Sequence, residues 1–156
     1  MKTLFRLLML LLIVPVVSVA DYTPEARTIS YKPARFGDYE VHYSAFSSTF
    51  LTPKMARLYN LKRGERYGIV NIAIRNIKSS ETGKAVTGDI KGNQINLLTQ
   101  KKSLEFREIK ESDAIYYLAG FQFSGEELLK FSINVTPNGS GQTETIRFEQ
   151  KFYQEK

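Results

Sequence analysis

The chain has 156 residues, a formal net charge of +6 and no cysteine. The lack of cysteine excludes a disulfide framework, a thiol nucleophile, a thiolate metal site and a lipid-modified N-terminal cysteine. The basic excess is compatible with anionic partners such as lipid headgroups, cell-wall polymers or acidic proteins, but it specifies none of them.

The first twenty residues follow the pattern of a secretory signal peptide. Lys2 and Arg6 supply the basic end, an apolar run covers residues 7–17, and a small-residue cleavage site ends at Ala20. An apolar run of about 11 residues is shorter than the roughly 20 that a membrane-spanning helix needs. We therefore expect cleavage before Asp21, which leaves 136 residues with a net charge of +4.

No later segment is apolar enough to span a bilayer, so we expect a water-soluble mature protein without a transmembrane anchor. Small domains of oxidising compartments are usually rich in disulfides, and a cysteine-free exported chain fits a bacterial periplasm better than animal plasma. Such a chain is not expected to meet nucleic acid, and its oligomeric state is left open. We expect residues 21–35 to form an extended arm or edge strand, and residues 36–156 to form a single β-sandwich domain.

The clearest strand pattern runs from Tyr39 to Phe46, where apolar and more polar residues alternate with the two-residue period of a half-buried strand. His42, the only histidine, lies on the more polar face of this strand. Thr52 before Pro53 has the form of a helix N-cap with proline at the first helical position. We therefore predict one short helix near residues 53–59.

Further alternating segments predict the remaining strands, at residues 67–77, 86–98, 104–109, 115–123, 129–135 and 146–152. Segment 86–98 contains Gly88 and Gly92, and it fits either one bent strand with a bulge or a hairpin around Lys91-Gly92-Asn93. Seven to eight strands with short turns predict an all-β fold, an antiparallel immunoglobulin-like sandwich. A closed barrel is the alternative, because it needs the same alternation.

No catalytic set emerges from the sequence. His42 is the only candidate base of its type, and no serine lies in a nucleophile-elbow sequence. One histidine without cysteine cannot form a typical zinc site, and although His42 and Met55 are ligand types that suit copper, two ligands define no site. We therefore predict no enzymatic activity, no cofactor and no metal, and interpret His42 as a strand residue satisfied by a hydrogen bond.

Basic residues surround the predicted helix and the loop that follows it. These basic residues are Lys54, Arg57, Lys62, Arg63 and Arg66. Glu65 is the one acidic residue among them. A solvated surface is the simple explanation of such a group. The functional interpretation is a surface that recognises an anion or docks a partner.

Three elements of the first half of the chain resemble a known family when taken together. They are GDYEVHYSAF at residues 37–46, STFLTP at residues 48–53 and GIVNI at residues 68–72. They resemble the uncharacterised bacterial periplasmic family known as domain of unknown function 4426. The resemblance implies an exported single-domain β protein of a family without assigned activity. It gives weight to Gly37, His42, Tyr43, Phe50, Leu51, Pro53 and Asn71.

These observations predict a periplasmic binding or accessory module for an envelope protein or an anionic envelope component. The contact would use the strand of His42, the short helix and the basic loop. The candidate binding residues are His42, Tyr43, Phe50, Lys54, Arg57, Arg63, Arg66 and Asn71. The alternative is a carrier or sensor of a small ligand or metal, with a pocket near His42.

Overall fold

The computed structural model describes residues 31–154. The predicted signal peptide and most of the predicted N-terminal arm lie outside these residues, so both stay predictions. Among the described residues, no helix has the length and apolar character needed to cross a membrane.

Ten strands and two short helices make up the described chain. In chain order these are β1 (Ala34–Phe36), β2 (Tyr39–Ser47), the 3-10 helix η1 (Ser48–Phe50), α1 (Pro53–Leu58), β3 (Tyr67–Asn76), β4 (Lys84–Ala85), β5 (Gly88–Ile95), β6 (Lys101–Leu104), β7 (Arg107–Glu111), β8 (Ala114–Gln122), β9 (Glu127–Pro137) and β10 (Glu144–Phe152). β1 and β4 are only three and two residues long, and the other eight strands match the upper predicted number.

The strands form two antiparallel sheets. The first has the order β1-β2-β3-β8-β7, with the short β4 also paired to β3, and the second has the order β10-β9-β5-β6. Two separate sheets, rather than one closed sheet, confirm the predicted all-β sandwich over the barrel. The helix predicted near residues 53–59 is also confirmed, as α1.

Segment 86–98 contains one continuous strand, β5, and not a hairpin around Lys91-Gly92-Asn93. Gly92 lies inside this strand and faces Ile133 of β9. A Cβ atom at position 92 would lie 2.5 Å from the Cδ1 atom of Ile133. Glycine there leaves room for the close approach of a core side chain and does not form a turn.

The single strand predicted over residues 104–109 is wrong. β6 ends at Leu104 in the second sheet, and β7 begins at Arg107 in the first sheet. The chain crosses between the sheets at Glu105 and Phe106. Leu104 is buried in the core, and Phe106 packs against the same core. The apolar alternation therefore continues from one sheet to the next, and the sequence pattern does not reveal the crossing.

An aromatic layer fills the space between the two sheets. Phe121 of the first sheet contacts Phe131 and Phe152 of the second sheet edge-on, with ring centroids 5.2 and 5.0 Å apart. Phe131 also stacks on Phe148, at 4.9 Å. Such aromatic pairs contribute about 0.5–1.5 kcal/mol beyond the burial of their area. The layer therefore fixes which face of each strand points inward.

Tyr117 joins the two sheets by hydrogen bonds. The backbone N–H of Gly88 in β5 donates to the Tyr117 hydroxyl at 2.8 Å, and this hydroxyl donates to Oε2 of Glu108 at 2.7 Å. Burial, together with the hydrogen bond to Glu108, raises the pKa of Tyr117 to about 12. The phenol therefore stays protonated at neutral pH and keeps its donor.

Replacing Tyr117 by phenylalanine should lower the free energy of unfolding by about 1–3 kcal/mol, because the N–H of Gly88 loses its partner between the sheets. Urea denaturation measures this loss. The matched control is Tyr116→Phe, since the Tyr116 hydroxyl makes no hydrogen bond within residues 31–154. The control should change stability by less than about 0.5 kcal/mol. Equal losses in the two variants would contradict the role of Tyr117.

Candidate functional site

The outer face of the first sheet, which points away from the second sheet, carries His42 and Asn71. His42 in β2 pairs with Ala73 in β3, and Asn71 in β3 pairs with Ser44 on one side and Leu118 on the other. Their neighbours along each strand belong to the core. His42 therefore lies on the more polar face of its strand, as the alternation predicts.

Tyr43 lies on the opposite side of β2, within the sandwich. Its ring stacks on Tyr31 with centroids 5.2 Å apart and contacts Phe148 at 5.0 Å. Tyr43 is therefore part of the packing between the sheets. The structure does not bring it together with His42 and Asn71 on the outer face.

β2 continues directly into η1 and α1. The Oγ1 atom of Thr52 accepts a hydrogen bond from the Met55 N–H at 3.2 Å, and Pro53 is the first residue of α1. This is the cap that the sequence predicts. Within α1 only Ala56 is buried, so the helix presents most of its side chains to solvent.

A buried hydroxyl joins η1 to the segment that follows α1, residues 59–66, which we call the exit loop. Ser48 is fully buried. Its Oγ atom donates to the Gly64 carbonyl at 3.1 Å and accepts from the Gly64 N–H at 3.0 Å. This pair of contacts fixes the distance between the start and the end of the helical segment.

Arg63 supports the same segment. Its Nε donates to the Leu51 carbonyl at 2.7 Å, and its Nη2 donates to the Thr49 carbonyl at 3.2 Å. The guanidinium of Arg63 therefore holds η1 in place. The sequence pattern identifies the charge of Arg63 but contains no signal for these backbone partners.

The exit loop is also attached to β7, at the far side of the first sheet. The Tyr59 hydroxyl donates to Glu111, and Nη1 of Arg107 donates to the Asn60 carbonyl at 3.2 Å. Asn60 has a φ of 53°, a left-handed conformation that asparagine tolerates better than most residues. The chain thus leaves α1 in a defined direction and lies against β7.

Exposed apolar and basic side chains follow one another in sequence on the two short helices. Phe50, Met55 and Leu58 are 54, 40 and 71% exposed. Lys54 and Arg57 stand between them in sequence and form no ion pair within residues 31–154. We call these five residues the helix surface. Leu58 is exposed because a six-residue helix has too few turns to bury all its apolar residues.

The exit loop adds basic charge beside the helix surface. Lys62 lies over the ring of Tyr67, 5.8 Å from its centroid, and the exposed Arg66 has no ion pair in the described part of the chain. A cavity of about 330 Å³ opens at this loop, lined by Asn60, Lys62 and Arg107 among others. The predicted basic residues therefore lie on one continuous segment, from α1 through the exit loop.

Asn71 has an unmet hydrogen-bonding group. Its Oδ1 atom is buried and has no partner among residues 31–154. The other side-chain atom of this kind in the described chain is Oε1 of Gln94, in the second sheet. A buried acceptor without a partner costs about 1–3 kcal/mol. Asn71 is therefore a buried polar point on this sheet face, and its Oδ1 atom is closed to solvent.

His42 is held by a carboxylate of its own strand. Its Nε2 atom lies 2.7 Å from Oε1 of Glu40, and Nε of Arg35 lies 2.5 Å from Oε2 of the same residue. The hydrogen bond from Arg35, with the charges of Arg35 and His42, holds the pKa of Glu40 below its ordinary value despite burial. His42 thus contacts a carboxylate of its own strand, while its side chain remains 46% exposed.

No metal-binding set accompanies His42 in the described residues. No group of three or more histidine, cysteine, aspartate or glutamate side chains in residues 31–154 could hold a metal ion. Five cavities of about 200 to about 460 Å³ lie among the described residues, and His42 lines none of these five.

The lowered pKa of Glu40 predicts acid-sensitive stability. A carboxyl group whose folded pKa is below its unfolded value stabilises the fold above the unfolded pKa, and this contribution is lost as pH falls through the folded pKa. The difference in Tm between the native sequence and Glu40→Gln should therefore be largest near neutral pH. It should shrink as pH falls below the ordinary value of 4.5. Repeating the comparison in a His42→Gln background removes the contribution of His42 to the pKa of Glu40, and a difference independent of pH would contradict the prediction.

The fold and these residues can be compared with known proteins. The model of a family described as "Domain of unknown function (DUF4426)" matches residues 33–155. The crystal structure of a DUF4426 family protein from Pseudomonas aeruginosa PAO1 has a TM-score of 0.69 and 33% sequence identity, and the match covers 80% of this chain and 96% of that chain. No curated protein matches the sequence.

Two structures of FetP from uropathogenic Escherichia coli share the fold at 12% identity. The "as isolated" protein, recombinantly expressed in the periplasm of E. coli, has a TM-score of 0.58, with 81% of this chain and 96% of that chain covered. A copper-bound variant has a TM-score of 0.56, with 81% and 92% covered. At this identity the likeness concerns the fold alone. The family model and the P. aeruginosa structure together show that the chain belongs to the DUF4426 family, as its three sequence elements predict.

Proposed function

We propose that the protein is an exported periplasmic binding or accessory module that docks an acidic segment of an envelope protein through the helix surface. The observation that carries this proposal is the grouping of three exposed apolar side chains with two basic side chains that have no ion pair in the described chain. The secretory pattern of residues 1–20 and the lack of cysteine support export. The periplasmic expression of FetP is consistent with the compartment.

The apolar members of the helix surface support a protein partner. Phe50, Met55 and Leu58 leave much of their area in water, and burying apolar area is the main favourable term in association. Phenylalanine and methionine are enriched at interface cores, and methionine adapts its shape to a partner. The grouping of these residues on two short helices gives such an interface an apolar centre.

The charges of the same surface support an acidic partner. Lys54 and Arg57 lie beside the apolar residues, and Lys62 and Arg66 extend the positive charge into the exit loop. Opposite charges on a partner would accelerate encounter and discriminate against basic proteins. The segment is also pre-organised by the contacts of Ser48 and Arg63, and this rigidity reduces the entropy lost on binding.

Charge reversal on the helix tests this proposal. The variant Lys54→Glu/Arg57→Glu should weaken retention of an envelope protein roughly tenfold or more, because repulsion replaces attraction at the interface. The matched control Lys84→Glu/Arg147→Glu changes the net charge equally, at exposed positions in β4 and β10. Quantitative mass spectrometry of proteins retained from envelope extract gives the partner, and biolayer interferometry with the purified partner gives the affinity.

The proposal requires a retained protein with an acidic binding segment, lost in the helix variant and kept in the control. Equal retention by the helix variant and the native sequence would contradict it. All four positions are exposed, so both variants should keep the fold. Their melting temperatures check this.

A metal carrier is the second candidate, because a FetP variant is copper-bound and His42 is paired with Glu40 here. It has less support, since the described residues provide no third histidine, cysteine, aspartate or glutamate beside this pair. Titration calorimetry with copper tests it. Our proposal predicts no saturable site that depends on His42, and a stoichiometric site lost in His42→Gln would favour the carrier instead.

A further inference from the structure

The turn between β5 and β6 exposes two consecutive leucines. Leu97 and Leu98 are 67 and 76% exposed, and they stand at the tip of the hairpin in which Ile95 pairs with Lys101. Neither leucine contributes to the core. Packing of the sandwich therefore gives no reason for two large apolar residues at this position.

Hydrogen bonds within the turn hold its shape. The Thr99 N–H donates to the Asn96 carbonyl at 3.0 Å, and the Asn96 N–H donates to the Gln100 carbonyl at 3.1 Å. The Asn96 side chain adds two bonds to Gln100, at 2.8 and 2.9 Å. Thr99 has a φ of 61°, a conformation that is rare for a β-branched residue. The turn is thus ordered with both leucines in solvent.

Lysines surround the turn. Lys101 and Lys102 follow it directly, and Lys130 of β9 pairs with Ile95 from the other side. All three lysines are exposed, and none has an ion pair within the described residues. Two carboxylates also lie nearby: Glu127 lines a cavity with Asn96 and Lys102, and Glu149 of β10 pairs with Lys130. The apolar tip therefore has three lysines and two acidic residues around it, a small excess of positive charge.

We propose that this turn docks the protein on an anionic phospholipid surface. Leu97 and Leu98 enter the boundary between headgroups and acyl chains, and the lysines contact headgroup phosphates. Apolar side chains that enter this boundary and basic side chains near it are the two contributions that bind peripheral proteins to anionic membranes. The docking turn is distinct from the helix surface, so the inference does not depend on a protein partner there.

The size of the tip favours a bilayer over a protein as its occupant. A stable protein interface buries about 800 Å² on each partner and has a broad packed centre. Two leucines at a two-residue tip cannot form such a centre, whereas a bilayer accepts a narrow apolar projection without a shaped partner. The surrounding lysines give the charge complementarity that selects anionic lipid.

Vesicle co-sedimentation tests the inference with protein purified after export, its N-terminus determined, so that all variants share the same chain start. The native sequence should bind vesicles of phosphatidylglycerol and phosphatidylcholine, and bind pure phosphatidylcholine vesicles much more weakly. Leu97→Asn/Leu98→Asn should weaken binding roughly tenfold, because the apolar insertion is lost. Leu58→Asn, at the comparably exposed leucine of α1, should bind vesicles like the native sequence.

The charge contribution is tested by Lys101→Glu/Lys102→Glu, which should abolish the preference for anionic vesicles. The control Lys84→Glu/Arg147→Glu should retain that preference. A fluorescence measurement adds a readout of insertion: the chain has no tryptophan, so Leu98→Trp introduces a single reporter. Its emission should shift to the blue with anionic vesicles, whereas that of Leu58→Trp should not.

Three results would overturn the inference: no binding of the native sequence to anionic vesicles, equal binding by Leu97→Asn/Leu98→Asn, or loss of an envelope protein, rather than lipid, in that variant. The last result would assign the tip to a protein. The helix surface is judged separately, because Leu58→Asn should weaken retention of the envelope partner while leaving vesicle binding unchanged.

Discussion

The aromatic layer between the two sheets is the constraint on which the rest of the structure depends. Phe121 contacts both Phe131 and Phe152 of the opposite sheet, and this packing fixes the inward face of the neighbouring strands. The hydrogen bond from the Gly88 N–H to the Tyr117 hydroxyl also joins the two sheets. As a consequence, the outer face of the first sheet is left free to carry His42 and the helical segment.

The helical segment depends on tertiary contacts, since a six-residue helix is not stable alone in water. Ser48 joins its start to Gly64, and Arg63 bonds the carbonyls of Leu51 and Thr49. One basic residue of the loop is thus used to build the surface, while Lys54 and Arg57 remain available to a partner. Arg63 has this structural role because the carbonyls of Leu51 and Thr49 lie within hydrogen-bond distance of its guanidinium.

The sequence predicts the fold better than the site. Alternation identifies the inward faces of β2, β3, β8, β9 and β10 because one face of each is buried, and Thr52-Pro53 identifies the start of α1. Alternation cannot reveal that the chain changes sheets after Leu104, because Phe106 continues the same pattern. Alternation also does not predict which backbone carbonyls a side chain such as Arg63 will bond. It does not distinguish an apolar residue in a strand from one at an exposed turn, such as Leu98.

The helix surface can be tested most directly by site-specific photocrosslinking in intact cells. A photoreactive amino acid at position 58 should give a defined covalent adduct whose partner peptide is acidic, whereas the same group at position 84, in β4, should not give this adduct. Identical adducts from the two positions, or no adduct from position 58, would contradict the proposal that the helix surface docks an envelope protein.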